Sequence, residues 1–268
     1  MKRFEYFEPA TLGEAIGLLA RYQGRAQALA GGTDLLVEMR EHLRAVARVA
    51  NIKKIPGLAA LTYGSEGLRI GALVTAREIE LSEIILQHYG SLAQSARELG
   101  SIQVRNRATI VGNLCRASPS ADTIPPLVAD GARVEIHGRA RPVPLEDFFT
   151  GPGKTVLKAG ELVTAIVVPP PAAGTKKVYI KHGRRKAMEL ATVGVAVTRT
   201  PGGVRIALGA VAPTVIRARA AEKLFPDIEK AAAAAAAECA PISNVRASAD
   251  YRRQMVRVLT RRALERVR

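Results

Sequence analysis

Two stretches carry the reading of this chain: Ala28-Leu29-Ala30-Gly31-Gly32-Thr33-Asp34-Leu35-Leu36, and further along Thr109-Ile110-Val111-Gly112-Asn113-Leu114-Cys115-Arg116-Ala117-Ser118-Pro119. Each joins a glycine, whose missing Cβ lets main-chain N–H groups converge on an anion, to hydroxyl or amide side chains able to complete the cradle. Taken singly, either stretch reads first as a tight turn closing a strand. Taken together, with Asp122-Thr123 and Pro125-Pro126 following the second, they are able to clamp a pyrophosphate between them.

Working outward, Phe4 to Glu8 reads as a short strand, and the capping-box pattern Thr11-Leu12-Gly13-Glu14 opens a helix to about Tyr22. Gln27 to Ala30 is a second strand, stopped by Gly31-Gly32, and Val46 to Ile52 a third, broken off at Pro56-Gly57. Leu68 to Leu73 is the next strand, Thr75-Ala76-Arg77-Glu78 repeats the capping signal, and Leu92 to Leu99 is helical. A long loop is expected from Gly100 to Pro126, and loops of that length are seldom idle. Ala132 to Ile136 and Leu162 to Val168 supply later strands, and Pro169-Pro170-Pro171-Ala172-Ala173-Gly174 is the best linker candidate. Beyond it, Ala191 to Thr200, Pro201-Gly202-Gly203 and Val204 to Val211 form a β-hairpin, followed by helices over Ala231 to Ala237 and Met255 to Arg266. This is a mixed α/β chain split near residue 170.

The 268 residues are 48% hydrophobic and 24% charged, a globular composition that leaves room for about two domains and a sizeable core. Cys115 and Cys239 are the only cysteines, which argues against a secreted disulfide framework and for a reducing, cytoplasmic setting. Two thiols cannot ligate a four-cysteine iron–sulfur cluster. No signal-peptide pattern opens the chain, and no apolar run approaches the length of a membrane span.

His42, His88, His137 and His182 are scattered without ligand spacing, so a mononuclear metal site is not expected. The hydrolase elbow Gly-x-Ser-x-Gly and the dinucleotide fingerprint Gly-x-Gly-x-x-Gly are both missing. Gly151-Pro152-Gly153-Lys154-Thr155 imitates the end of a phosphate loop, but Phe148 stands where its first glycine is required, and it reads as a plain turn.

The net charge is +16, and Arg246, Arg252, Arg253, Arg257, Arg261, Arg262, Arg266 and Arg268 crowd the C-terminus against Asp250 and Glu265. That end reads as a solvated helix surface, a face for an acidic partner subunit, or a phosphate-binding surface. With aromatics at 4% and only Tyr251 near the cluster, stacking platforms for single strands are poorly supplied, and no nucleic acid is expected.

Ala30-Gly31-Gly32-Thr33-Asp34-Leu35, Ile70-Gly71-Ala72, Thr109 to Asn113, Ala117-Ser118-Pro119 and Asp122 together resemble the FAD-binding medium subunit of molybdenum hydroxylases, the carbon monoxide dehydrogenase and xanthine dehydrogenase type. The likeness runs on in order through Asp147-Phe148-Phe149-Thr150-Gly151, Lys181, Ala191-Thr192-Val193-Gly194-Val195-Ala196 and Ala207-Leu208-Gly209-Ala210-Val211-Ala212-Pro213. It implies an α/β (α+β) fold: an FAD-binding domain over 1–170, of the kind shared with vanillyl-alcohol oxidase and p-cresol methylhydroxylase. Its two subdomains would span about 1–55 and 56–170, with a carbon monoxide dehydrogenase flavoprotein C-terminal domain over 175–268.

The resemblance also implies FAD on this chain, with molybdopterin on a large partner subunit and two [2Fe–2S] clusters on a small one, assembled as a dimer of heterotrimers. Electrons would cross the clusters to the flavin and leave for an external acceptor. By the same resemblance, Ala28, Leu29, Ala30, Gly31, Gly32, Thr33, Asp34 and Leu35 form the first pyrophosphate loop, and Thr109, Gly112 and Asn113 the second. Asp122 accepts hydrogen bonds from flavin-side or ribose hydroxyls, or alternatively caps a helix; Leu99 and Val163 lie near the cofactor. Lys181 favours the reduced, anionic flavin, or alternatively is a solvated strand-end cation. No catalytic acid, base or nucleophile is required. Val111 departs from the pattern, since the second loop usually carries two adjacent glycines, and a valine at positive φ would be strained. Two other readings remain: a stand-alone flavin reductase of the same fold, similar to the enolpyruvyl-glucosamine reductase, and a basic nucleic-acid-binding or assembly protein without flavin.

Overall fold

In the computed structural model, which describes residues 1–268, the Thr11 hydroxyl accepts the Glu14 N–H and turns the chain from β1 (Glu5–Phe7) into α1 (Leu12–Arg21). β2 (Ala26–Leu29), α2 (Leu35–Arg40) and β3 (Arg48–Asn51) follow. β3 lies between β1 and β2, parallel to both. Parallel neighbours need crossover connections, and α1 and α2 supply them. Ala15 and Leu19 of α1 join the largest hydrophobic core, while Leu29, Met39, Val46 and Val49 make a small core of their own.

The middle of the chain begins with β4 (Leu61–Gly64) and β5 (Gly67–Gly71). Six helices come next: α3 (Ala76–Leu81), α4 (Glu83–His88), α5 (Gly90–Arg97), α6 (Ile102–Arg105), α7 (Ile110–Arg116) and α8 (Ile124–Ala129). β6 (Arg133–Ile136), β7 (Val143–Pro144), the ribbon of β8 (Phe149–Gly151) and β9 (Lys154–Thr155), and β10 (Val163–Val168) complete it. β10 is the centre of an antiparallel sheet ordered β4-β5-β10-β6-β7. Gly151 to Thr155 is the turn of the β8–β9 ribbon, with Gly153 at φ +68°.

The expected loop from Gly100 to Pro126 instead holds two short helices and the start of a third. Ser101 and Thr109 cap α6 and α7 through their hydroxyls, and Gly112 falls within the first turn of α7. Val111 is therefore helical and buried, and it avoids the positive φ that would strain a valine.

The last part holds β11 (Lys176–His182), β12 (Val193–Thr200), β13 (Gly203–Gly209) and β14 (Ile216–Arg217), an antiparallel sheet in that order. α9 (Arg219–Leu224), α10 (Ile228–Glu238) and α11 (Ala249–Val267) cover one face. Strand alternation sends Val178, Val193, Val195, Val197, Val204, Ile206 and Leu208 to those helices. The other face carries small residues, Gly194, Ala196, Ala207 and Gly209, so that α8 lies close against it: a Cβ on Gly209 would stand 2.9 Å from Pro125 Cγ.

Two buried ion pairs fasten this face to the middle of the chain. Lys177 Nζ is 2.9 Å from Asp130 Oδ2, and Lys181 Nζ is 2.8 Å from Asp122 Oδ2. The spacings match. Four residues of strand advance about 13 Å, and the eight residues from 122 to 130, mostly helix α8, about 12 Å. On α11, Arg252 is buried and donates to the carbonyls of Thr192 and Ala210 and to Asn244 Oδ1, so one of the eight arginines is internal. Arg253 pairs with Asp250, and Arg257 and Arg261 with Glu229. No helix is long and apolar enough to cross a membrane.

Candidate functional site

The first glycine stretch runs from the end of β2 into α2, where Gly32 takes the left-handed conformation at φ +79° that favours glycine. Gly31 serves a different need. A Cβ there would meet the Arg107 carbonyl oxygen at 1.9 Å, so only glycine lets this loop rest on the Arg107-Ala108 backbone just ahead of the second stretch. The two loops are thereby contiguous, although their sequences are far apart.

Between them opens a cleft of about 900 Å³. Ala28 to Leu35, Leu99, Thr109, Gly112, Asn113, Asp122 and Val163 all line it. The main-chain N–H groups of Gly31, Gly32, Thr33 and Asp34 border the cleft with no protein acceptor. Unpartnered donors of this kind are filled by water or ligand. On the opposite wall Gly112 donates to Thr109 Oγ1 at 3.0 Å, and Thr123 donates to Asn113 Oδ1 at 2.8 Å, leaving the Asn113 NH2 without a protein acceptor. Arg116 bridges the two loops, 3.0 Å from Glu38 and 4.0 Å from Asp34. Burial pushes the Asp34 carboxyl above its usual range, with Arg116 opposing.

Asp122 does not cap α8; Thr123 occupies that position without a side-chain bond. Asp122 is buried, accepting from the Tyr179 hydroxyl and the Lys181 ammonium, each at 2.8 Å. Lys181 is the one proposed cofactor residue that is not on the cleft wall. It stands behind Asp122, also donates to the Glu98 carbonyl at 3.0 Å and has a buried side chain, so it is not the solvated cation that the sequence allowed. Cys115, half-buried among apolar neighbours at the cleft, has its thiol pushed up to about 12 by burial, which leaves it an inert filler at neutral pH.

Several lining residues carried no signal in the sequence: the strip Leu157 to Leu162, Ser101 and Val104, and Met188 to Leu190 from the β11–β12 connection. The strip is shaped by Gly160 at φ +87°, where a Cβ would stand 2.9 Å from Ala20 Cβ, and by Glu161, which accepts the Lys158 N–H and a two-pronged bond from Arg139.

The Leu99–Arg105 wall is held by charge. Arg105 donates to buried Glu80 at 2.8 Å and to the Leu99 carbonyl at 3.2 Å, and Arg77 reaches the same carboxylate at 2.9 Å. Burial pushes the Glu80 carboxyl up, but the bonds from Arg77 and Arg105 outweigh it, and the net direction is down. A depressed carboxyl stabilises the fold fully above its unfolded value of about 4.3 and loses that contribution as pH falls through the folded value. Glu80→Gln should therefore cost about 2 kcal/mol at pH 7, and the deficit against the parent protein should shrink on acidification below pH ~4. Urea midpoints measured at both pH values check this; a deficit constant with pH would contradict it.

No three or more His, Cys, Asp or Glu side chains stand together as a metal site. The arrangement suits a dianionic dinucleotide. Free amides and an amide side chain meet across one cleft, whose volume lies at the upper end of the ~300–1,000 Å³ of small-molecule sites. Fold and cleft together fit a dinucleotide-binding protein. Comparison with known proteins makes this specific: the chain belongs to the FAD-binding medium subunits of the molybdenum hydroxylases. Residues 2–171 match the family described as FAD binding domain in molybdopterin dehydrogenase, and residues 178–267 the CO dehydrogenase flavoprotein C-terminal domain.

Among curated relatives, the carbon monoxide dehydrogenase medium chain of Hydrogenophaga pseudoflava is 34% identical over 276 residues, covering 98% of this chain and 96% of the relative. A putative xanthine dehydrogenase FAD-binding subunit of Escherichia coli (strain K12) is 33% identical over 275 residues, 97% of this chain and 94% of the relative. The solved carbon monoxide dehydrogenase from Hydrogenophaga pseudoflava, in a form lacking the Mo-pyranopterin moiety, contains a chain that superimposes with a TM-score of 0.94 at 35% identity. The match covers 99% of this chain and 97% of that one.

Proposed function

We propose that this chain is the electron-exit subunit of a heterotrimeric molybdenum hydroxylase in the cytoplasm. Electrons arrive from two [2Fe–2S] clusters on a small subunit, substrate having been oxidised on a large molybdopterin subunit, and leave through FAD for an external acceptor. The trimers pair into a dimer. The domain boundaries at 1–170 and 175–268, and the assignment of the cleft residues to FAD, belong to the same proposal.

The observation that carries it is the meeting of unpartnered Gly31–Asp34 amides with Asn113 across a dinucleotide-sized cleft. When bound, FAD supplies the exchange between one- and two-electron steps. This chain's residues bind and orient it: the loop amides neutralise the phosphates, Asn113 donates from the opposite wall, and Arg116 ties the loops together. The names of the relatives, medium chains and FAD-binding subunits of dehydrogenases, support the partner assignment.

The test is to tag this chain, express it beside candidate large and small subunits and measure flavin, iron and molybdenum in the purified material. Flavin with iron and molybdenum in fixed ratio, and reduction of the flavin by substrate only in the trimer, are the expected results. A flavin reduced by a nicotinamide cofactor and turned over on a small substrate without any partner would move the assignment to a stand-alone reductase.

A further inference from the structure

Asp122 is the one buried carboxylate that lines the FAD cleft and is gripped from behind by another part of the chain. Its Oδ2 accepts from Lys181, and its Oδ1 accepts from Tyr179, a tyrosine with no accessible surface. Both donors come from β11, two residues apart and so on the same face. Lys181 supplies a counter-charge that favours the ionised carboxylate, but an ammonium on a flexible stem fixes a direction weakly. The phenol, held on a fully buried ring, fixes it strongly.

The neighbouring strand makes room for this contact. Gly194 pairs with Lys181 in the β11–β12 register, and a Cβ on it would stand 3.0 Å from the Tyr179 hydroxyl. The glycine within Ala191-Thr192-Val193-Gly194-Val195-Ala196 thus has a physical reason. Burial and the adjacent carboxylate push the Tyr179 phenol well above its ordinary range, so it is a donor at any physiological pH.

We propose that Tyr179 is a positioning residue for the flavin site: through its bond to Asp122 it holds that carboxylate as a fixed acceptor at the wall of the FAD cleft, with Gly194 as the opening that lets the phenol reach it. The inference rests on the assignment of the cleft to FAD. It makes the C-terminal unit part of the cofactor site even though Tyr179 itself does not border the cleft.

The charged and titratable groups around Asp122 are Tyr179 and Lys181 on β11 and Glu98 at the end of α5. Burial is the largest influence and leaves the Asp122 carboxyl above its ordinary range even though Lys181 and Tyr179 pull it down, so removing the phenol makes Asp122 easier still to protonate. The full complex or the full chain is stripped of FAD and titrated with it by fluorescence, as the parent protein, as Tyr179→Phe and as Gly194→Ala. Tyr179→Phe keeps the ring and its packing. It is expected to weaken FAD binding about tenfold at pH 8, and the loss relative to the parent protein should widen as the pH is lowered to 6.

Gly194→Ala crowds the phenol from the far side and should reproduce the same pH-dependent loss without touching the cleft. A role confined to packing would lower thermal stability but leave the affinity ratio constant with pH. That outcome, or unchanged affinity in both variants, overturns the inference. If the parent protein takes up no FAD at all, the assignment of the cleft has failed instead.

Discussion

Gly31→Val should purify without flavin. The Cβ it introduces lies 1.9 Å from the Arg107 carbonyl oxygen, 2.8 Å from the Arg107 carbonyl carbon and 3.1 Å from Ala108 Cα. All three atoms are backbone, so no side chain can rotate away to relieve the contact. Either the first loop lifts or the strand of chain entering α7 is displaced, and in both cases the two walls of the cleft part. Overpacking of about 1–3 kcal/mol falls almost wholly on the bound geometry, equivalent to about a hundredfold in FAD affinity. Gly17→Ala is the matched control. It adds the same Cβ to α1, where nothing lies within 4 Å, and should hold FAD normally while gaining about 1 kcal/mol of helix stability. Visible absorbance of the purified proteins and a fluorescence titration with FAD separate the two variants. A Gly31→Val protein as yellow as the parent would show that the loops do not close on the cofactor together.

The legible and illegible parts of this molecule differ in what each residue depends on. Gly31 answers to the distant Arg107 backbone, whereas Gly32 could be read because its need is local, a left-handed turn that favours glycine. The Thr75–Glu78 capping box and the β12–β13 hairpin were legible for the same reason. α6 and α7 were not, because four and seven residues are too few for an apolar period to register above a polar, glycine-bearing background.

β11 was hidden for a different cause. Lys176, Lys177, Lys181 and His182 look like a solvated edge, and lysines are seldom buried. Here two of them are, because Asp122 and Asp130 arrive from an element more than forty residues earlier in the chain. The cleft strip Leu157 to Leu162 likewise acquires its role only from Gly160 meeting α1. Side chains whose partners are distant in sequence carry their function in the tertiary contact, and no local pattern announces it.

That dependence gives the second large effect. Asp130 has its side chain 2% exposed, accepts from Lys177 at 2.9 Å and from Thr198 Oγ1 at 2.7 Å, and faces an ammonium that also sits 4.2 Å from the Tyr89 ring centre. In Asp130→Leu the Lys177 ammonium keeps its burial and loses its counter-charge, and Thr198 loses its acceptor. Stranding one half of a buried pair costs about 3–5 kcal/mol, a large share of a domain's stability. The aromatic ring returns only part of this, since a cation over a ring is worth about 2 kcal/mol even when desolvated. Replacing both partners, Asp130→Leu with Lys177→Met, removes the stranded charge and should bring urea stability back to within about 1–2 kcal/mol of the parent. The single variant is also expected to loosen the C-terminal sheet from α8, and with it the grip on Asp122 at the other end of that helix, so its FAD affinity should fall along with its stability. If Asp130→Leu alone unfolds within about 1 kcal/mol of the parent, water reaches Lys177, and the pair is not the fastening between the two units.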